Sequence, residues 1–252
     1  MLLAVDVGNT QTVFGLFEGA ELGDRWRIAT EAQRTGDELG ALLSDFLDLA
    51  ALDGICLSST VPRLVREYEH LAERWATAPL LVLGPGVATG IEIRYDDPRE
   101  VGPDRIANAV AAKERFGSPV IVVDFGTSTN FDVVSADGQY VGGVLAPGIE
   151  TSMEALFARA ARLVKVDYAE PQQVIGKTTE SALRSGLVYG FAGQVDGIVD
   201  AIRRELGVDA QVVATGGLAD LIAPHSRTIS AVEPFLTLDG LRLIWERNTS
   251  DS

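Results

Sequence analysis

Four residues stand out by chemical type and by place: Asp6, Asp124 and the adjacent pair Asp104-Arg105. Asp6 interrupts an apolar run inside LLAVDVGNTQTVFGL (Leu2–Leu16), just ahead of a Gly8-Asn9 turn signal, and a second apolar run follows from Thr12 to Phe17. The pattern predicts a β-hairpin with a carboxylate at its bend. A charge on a core strand is costly unless something pairs with it. Taken alone, Asp6 could equally cap its own turn by accepting from backbone N–H groups. The phrase returns at Val120–Val134, VIVVDFGTSTNFDVV, with Asp124 ahead of Gly126-Thr127. Laying Asp6 on Asp124 without a gap puts Gly8 on Gly126 and Phe14 on Asp132. Two such hairpins predict two similar halves facing each other. Carboxylates at two facing bends would suit a metal ion and a polyphosphate.

Asp104 and Arg105 follow Val101-Gly102-Pro103, and Ile106, Ala109, Val110 and Ala111 continue at helical spacing. Pro103 suits a first helical turn, and a first-turn carboxylate is favoured by the helix dipole. By itself that makes Asp104 an ordinary helix-start acid, expected to be ionised at neutral pH.

The elements that must position these residues alternate between strand and helix. Glu21–Ile28 predicts a third strand, and Thr35 or Asp37 caps a helix carrying Leu39, Leu42, Leu43, Phe46 and Leu47. Ile55–Leu57 reads as a buried strand ending in Ser58-Ser59-Thr60, Pro62 opens a helix to about Trp75, and Leu80–Leu83 makes another strand. The loop Gly84–Pro98 carries Tyr95, Asp96 and Asp97. The junction at Gly117-Ser118-Pro119 sets the expected boundary between a first half, residues 1–117, and a second, residues 118–252. In the second half Gly142–Gly148 reads as a turn-rich link into a helix with Met153 and Phe157. A longer helix starts at Thr178-Thr179-Glu180 and runs to about Leu206, with Gly186, Gly190, Gly193 and Gly197 in one stripe. Each of these costs a helix about 1 kcal/mol against alanine, so another backbone is expected there, from the chain's own sheet or from a second copy. Gln211–Ala214 is a strand, and Thr215-Gly216-Gly217 turns it into a helix at Leu218–Ile222, leaving N–H groups for a phosphate or nucleotide. Leu238–Asn248 predicts a last helix, and Thr249–Ser252 a frayed end.

Composition narrows the classes. Of 252 residues, 46% are hydrophobic and 23% charged, as in a soluble globular protein of one or two domains. Apolar runs fall well short of the roughly 20 residues that span a bilayer, and the N-terminal run lacks the basic flank of a signal peptide. A single cysteine, Cys56, leaves no internal disulfide or cysteine-built metal site, and a cytoplasmic location is the expectation. The net charge of −15 disfavours nucleic acid and anionic membrane as partners, so an anionic substrate needs a local basic group. No Walker loop occurs, no Gly-x-Gly-x-x-Gly follows a strand, and two histidines make a poor zinc set.

The chain resembles the type III pantothenate kinases, within the acetate kinase, sugar kinase, Hsp70 and actin superfamily. The ordered set that carries the resemblance spans nearly the full length. It comprises Asp6-Val7-Gly8-Asn9-Thr10, Gly102-Pro103-Asp104-Arg105, Asp124-Phe125-Gly126-Thr127, Gly142-Gly143 with Pro147-Gly148, Thr179 with Ser185-Gly186, Thr215-Gly216-Gly217, and Leu236–Leu241. The resemblance implies an α/β fold of two similar ribonuclease H-like (actin-like ATPase) domains, with mixed sheets flanked by helices. It implies phosphorylation of pantothenate by ATP, the first step toward coenzyme A, and a homodimer. Asp104 matches the catalytic base. Tyr95, Gly102, Pro103, Asp104, Arg105 and Thr179 match substrate-binding positions, Arg105 suiting the pantothenate carboxylate. Asp6, Val7, Gly8, Asn9, Thr10, Gln11, Thr12 and Val13 match the ATP-phosphate loop, with Asp6 acting through Mg²⁺ and its waters, and Thr127 matches another ATP contact. Asp124 matches the ligand of a monovalent cation, K⁺ or NH₄⁺. Pro103 stands where the family often has alanine, and Val13 where many superfamily relatives place a lysine. A second expectation of another class is a catalytically weak nucleotide-binding accessory or regulatory protein on the same fold.

Overall fold

Branched apolar residues in succession make a strand that must be covered on both faces. In the computed structural model, which describes residues 1–160, 163 and 165–249, β1 (Leu2–Val7) lies at the centre of a sheet with Leu3, Ala4 and Val5 fully buried. The sheet order is β3 (Glu21–Ala29), β2 (Gln11–Glu18), β1, β4 (Gly54–Ser59), β5 (Leu80–Val82). β1, β2 and β3 run antiparallel, whereas β4 and β5 are added in parallel. Short turns join the antiparallel strands, and helices carry the crossovers between parallel ones. α1 (Gly36–Ser44) begins with a capping box in which Thr35 and Glu38 satisfy each other's backbone N–H groups. α2 (Pro62–Leu71) starts on proline and runs into a π-helical turn, Ala72–Ala76.

A second sheet repeats the plan. Its order is β8 (Tyr140–Pro147), β7 (Ser128–Val134), β6 (Val120–Phe125), β9 (Gln211–Thr215), β10 (Ala231–Val232), with the same sequence of antiparallel and parallel pairings. Its core joins Ile121, Val123, Phe131 and Val212 to Val188, Val195 and Val199 of α5 (Thr179–Leu206). α5 opens on a capping box at Thr178 and closes on Gly207 in the left-handed region. The remaining helices are α3 (Pro103–Phe116), α4 (Ile149–Arg159), α6 (Ala219–Ile222) and α7 (Leu236–Thr249).

The division into halves differs from the sequence expectation of 1–117 and 118–252. One compact unit comprises Met1–Ala111 and Leu236–Ser252, the other Ala112–Phe235. The chain crosses within α3, and α7 returns to pack on β1, β2 and β4 of the first unit. Gly54 marks that contact: a side chain there would overlap the ring of Trp245. No local pattern announces such a return.

Three further expectations need correction. Gly142–Gly148 is mostly strand: its glycines hid β8, an edge strand whose exposed positions alternate. β10 is two residues long and was too short to read. The gap-free alignment of the hairpins fails past the bend, because Phe14 pairs with Val5 and Phe131 with Val123. Phe14 therefore corresponds to Phe131, both fully buried, and not to Asp132; the second turn is one residue shorter. The glycine stripe of α5 is exposed, and no other described residue comes within 4 Å of where its Cβ atoms would be, so its own sheet does not cover it. Of the expected frayed end, Thr249 closes α7 and residues 250–252 lie outside the described set.

Candidate active site

In the first unit, parallel pairing sets Asp6 of β1 beside Ser58 of β4. Asp6 Oδ1 and Ser58 Oγ are both buried and neither makes a hydrogen bond. Asp104, in the first turn of α3, also has a buried Oδ1 without a hydrogen-bond partner. Buried polar atoms are nearly always satisfied, so a cluster of exceptions marks a place where something binds. Asp6 senses Asp104. Burial first, and then the charge of Asp104, push the Asp6 carboxyl up to about 7, against a smaller opposing effect of the Ser58 hydroxyl.

The pKa of Asp104 moves opposite to the direction that its place at a helix start alone would give. Its pKa is raised, because burial outweighs the backbone N–H groups of Arg105 and Asp104 and the Arg105 charge, all of which lower it. The helix terminus acts in the expected direction; desolvation is the larger effect. Gly102 leaves room for Asp104 Oδ1, which a side chain there would force to shift. Arg105 is buried at 7% exposure, which strengthens any pairing of its guanidinium with an anion. Pro103 opens the helix at half-burial, and Val101 anchors the strand of chain leading to it.

The turn of the first hairpin closes through Gly8 N–H to Gln11 C=O at 3.0 Å, leaving Asn9, Thr10 and Gln11 exposed. Thr10 C=O accepts from Thr30 N–H at 2.9 Å. Thr12 is buried and its hydroxyl is already engaged with Thr30 Oγ1 at 2.8 Å, while Val7 is buried and Val13 half-buried. The Thr12 and Val7 side chains thus build the turn, and the exposed residues at its tip are the ones open to a ligand. Tyr95 is half-buried in the loop before α3.

In the second unit Asp124, next to last in β6, lies opposite Asn130 and beside Thr215 of β9. Asp124 Oδ1 and the Phe125 carbonyl oxygen each lie 2.6 Å from where a Cβ on Gly216 would be. Gly216 has φ +92, so a side chain there is excluded by conformation as well as by these two oxygens. Thr127 is exposed at the turn, and its carbonyl accepts from Thr151 Oγ1 at 2.8 Å. Thr179 is exposed in the first turn of α5. The sequence-predicted residues therefore fall into two groups: Asp6, Gly8–Val13, Tyr95 and Gly102–Arg105 in one unit, and Asp124, Thr127 and Thr179 in the other. Ser58 was missed as a site residue; its signal was the polar end of an otherwise apolar strand. Among the described residues no three His, Cys, Asp or Glu side chains gather as a metal cluster. The donor set instead suits Mg²⁺, which keeps several waters and is held by one or two carboxylates together with substrate phosphates.

Two mixed sheets of identical topology, each with a carboxylate where its first strand ends, define an actin-like ATPase and sugar-kinase fold. Solved structures agree at the level of the fold. A ROK hexokinase from Thermus thermophilus aligns with TM-score 0.53 at 13% identity, covering 100% of this chain and 99% of that one. A Campylobacter jejuni chain named for the Baf family of transcriptional activators aligns with TM-score 0.63 at 19% identity, covering 98% and 99%. Sequence relatives are nearer. The type III pantothenate kinase of Acidothermus cellulolyticus is 55% identical, with 100% of both chains covered, and that of Streptomyces coelicolor is 51% identical over 99% of each. Residues 2–201 match the type III pantothenate kinase family as a whole. This chain belongs to the type III pantothenate kinase family.

Proposed function

We infer that this protein transfers the γ-phosphoryl group of ATP to the terminal hydroxyl of pantothenate, giving 4'-phosphopantothenate for coenzyme A synthesis. Family membership supports the activity. The observation that carries the chemical reading is the pair of carboxylates Asp6 and Asp104, each with a buried oxygen lacking a hydrogen-bond partner, the charge of Asp104 adding to burial in raising the Asp6 carboxyl. Asp104 accepts the proton of the pantothenate hydroxyl as it attacks phosphorus. Its raised pKa makes it a stronger base than an exposed carboxylate, which suits proton abstraction near neutral pH. Arg105 pairs with the pantothenate carboxylate and fixes the hydroxyl in place; Tyr95, Gly102 and Pro103, in the same unit, are further substrate contacts, and the family match adds Thr179. Phosphoryl transfer asks mainly for such positioning and for charge stabilisation.

The turn Gly8–Gln11 offers backbone N–H groups to the phosphates, with Thr127 a further ATP contact. Asp6 and the Ser58 hydroxyl fit a hydrated Mg²⁺, which when bound neutralises phosphate charge. Asp124 Oδ1 and the Phe125 carbonyl, converging over Gly216, are the oxygen donors proposed for K⁺ or NH₄⁺. The working form is a homodimer. The exposed glycine stripe of α5, which no described residue outside its own helix approaches within 4 Å, supports that reading; light scattering is expected to give twice the chain mass at micromolar concentration, and a fully active monomer would overturn it. The reaction belongs in the cytoplasm, where its ATP is, and cell fractionation checks that.

A coupled ADP-release assay tests the function directly. ADP release that depends on pantothenate is the expected result. ATP binding without pantothenate-dependent release would instead favour a regulatory nucleotide-binding protein on this fold.

A further inference from the structure

Helix α7 is fastened at three levels, all within the first unit. At its start, Thr237 Oγ1 donates to Asn108 Oδ1 at 2.8 Å, and Gly240 lies so close to the Ala107 carbonyl that a side chain would overlap it. Both partners sit on α3, one turn beyond Asp104-Arg105. In the middle, Trp245 covers Gly54 of β4. At its end, Asn248 pairs with the backbone of Ala88 in both directions: Ala88 N–H donates to Asn248 Oδ1 at 3.1 Å, and Asn248 Nδ2 donates to Ala88 C=O at 3.0 Å. The Asn248 amide is itself held in the helix, because Nδ2 also donates to Ile244 C=O at 2.7 Å. Arg247 donates to Thr89 C=O at 3.3 Å, and its guanidinium fills the space beside Gly90 that a side chain would need.

The residues so gripped begin the irregular segment between β5 and α3. Gly86 and Gly90 both have positive φ, and Thr89 Oγ1 donates to Ile91 C=O at 3.1 Å, so the turn has a defined shape but little regular structure. An asparagine making two backbone bonds imitates a short stretch of β-ladder and fixes the segment in both position and orientation. Tyr95 lies five residues beyond Gly90. One helix thus holds both the α3 turn behind the reacting carboxylate and the root of the loop that presents Tyr95.

We propose that Asn248 is a positioning residue for pantothenate: through Ala88 it sets the 84–95 loop against the α3 frame that carries Asp104 and Arg105. The proposal rests on the reading that Tyr95 contacts pantothenate. Substrate binding then depends on the last turn of the chain although Asn248 need touch no substrate.

Asn248→Ala in the full-length enzyme tests it, with steady-state kinetics for both substrates, peptide-resolved hydrogen exchange and melting temperature. The expected result is a pantothenate KM raised about 10-fold, the effect of loosening contacts of roughly hydrogen-bond strength. The kcat and the KM for ATP stay within about 2-fold, and exchange quickens in residues 84–95 alone. Arg247→Ala moves the same quantities in the same direction by less. An unchanged pantothenate KM overturns the proposal, even with faster exchange in the loop. So does a loss spread over kcat, both KM values and exchange across the first unit, which marks a merely structural role. Absence of pantothenate-dependent turnover in the unaltered enzyme would strike the proposed function before any variant is compared.

Discussion

The two hairpins, β1–β2 and β6–β7, share strand order, pairing sense and a carboxylate at the end of the first strand, yet they hold those carboxylates differently. Asp6 sits with an unsatisfied buried oxygen beside an unsatisfied serine hydroxyl, and a second carboxylate raises its pKa. Asp124 shares its space with a carbonyl oxygen over a glycine that cannot bear a side chain. The first hairpin also has the longer turn, by one residue. A repeated scaffold thus fixes where a carboxylate stands, while neighbouring strands and loops decide what it meets. One arrangement gathers acidic groups, which a bound cation would relieve. The other sets a carboxylate against a backbone carbonyl oxygen, the donors we propose for a monovalent ion.

The comparison is broken most sharply by Asp104, the residue that makes the first site doubly acidic. Asp104→Asn is expected to lower kcat by roughly 10²–10⁴, the usual range for a lost general acid–base group, with pantothenate binding changed far less. Stopped-assay turnover beside a melting curve checks this. A folded variant with near-normal turnover leaves Asp104 a helix-start acid and removes the distinction between the halves.

Asp6 tests the same distinction through stability. Burial pushes its carboxyl up to about 7 in the folded protein, against the ordinary aspartate value of about 3.8 when unfolded. Between those values the native state holds a proton that the unfolded state has released, so stability falls as pH rises from about 4 to about 7 and stays reduced above. Asp6→Asn, without Mg²⁺ or nucleotide, should therefore gain on the order of 2–4 kcal/mol at pH 8 and little near pH 4, while losing kinase activity. Melting temperatures at the two pH values decide it; an equal shift at both would show that desolvated charge is not the cause.

Asp124 gives the smallest expected effect. Asp124→Asn should weaken activation by K⁺ at least on the order of 10-fold, the cost of losing even an outer partner of a metal site, with the Mg²⁺ requirement nearly unchanged. Titrations of activity with each salt measure this. Equal activity in Na⁺, K⁺ and NH₄⁺ would remove the ion from the second hairpin.

Much of this was legible in the residues because it depends on neighbours in the chain. Hairpins announce themselves through alternating apolar runs around Gly8 and Gly126, and helices through Thr35, Pro62, Pro103 and Thr178 at their starts. The ordered set of motifs from Asp6–Thr10 through Gly102–Arg105 and Asp124–Thr127 to Leu236–Leu241 carried the fold and the family. Tertiary structure alone decided the rest, because it depends on residues far apart in sequence. Ser58 joins the site only when β4 lies parallel to β1. α7 belongs to the first unit only because Gly240, Trp245 and Asn248 find partners more than 100 residues upstream. The proton affinity of Asp104 is the clearest case: its helix position argued for a lowered pKa, and burial, which no local pattern encodes, raised it instead.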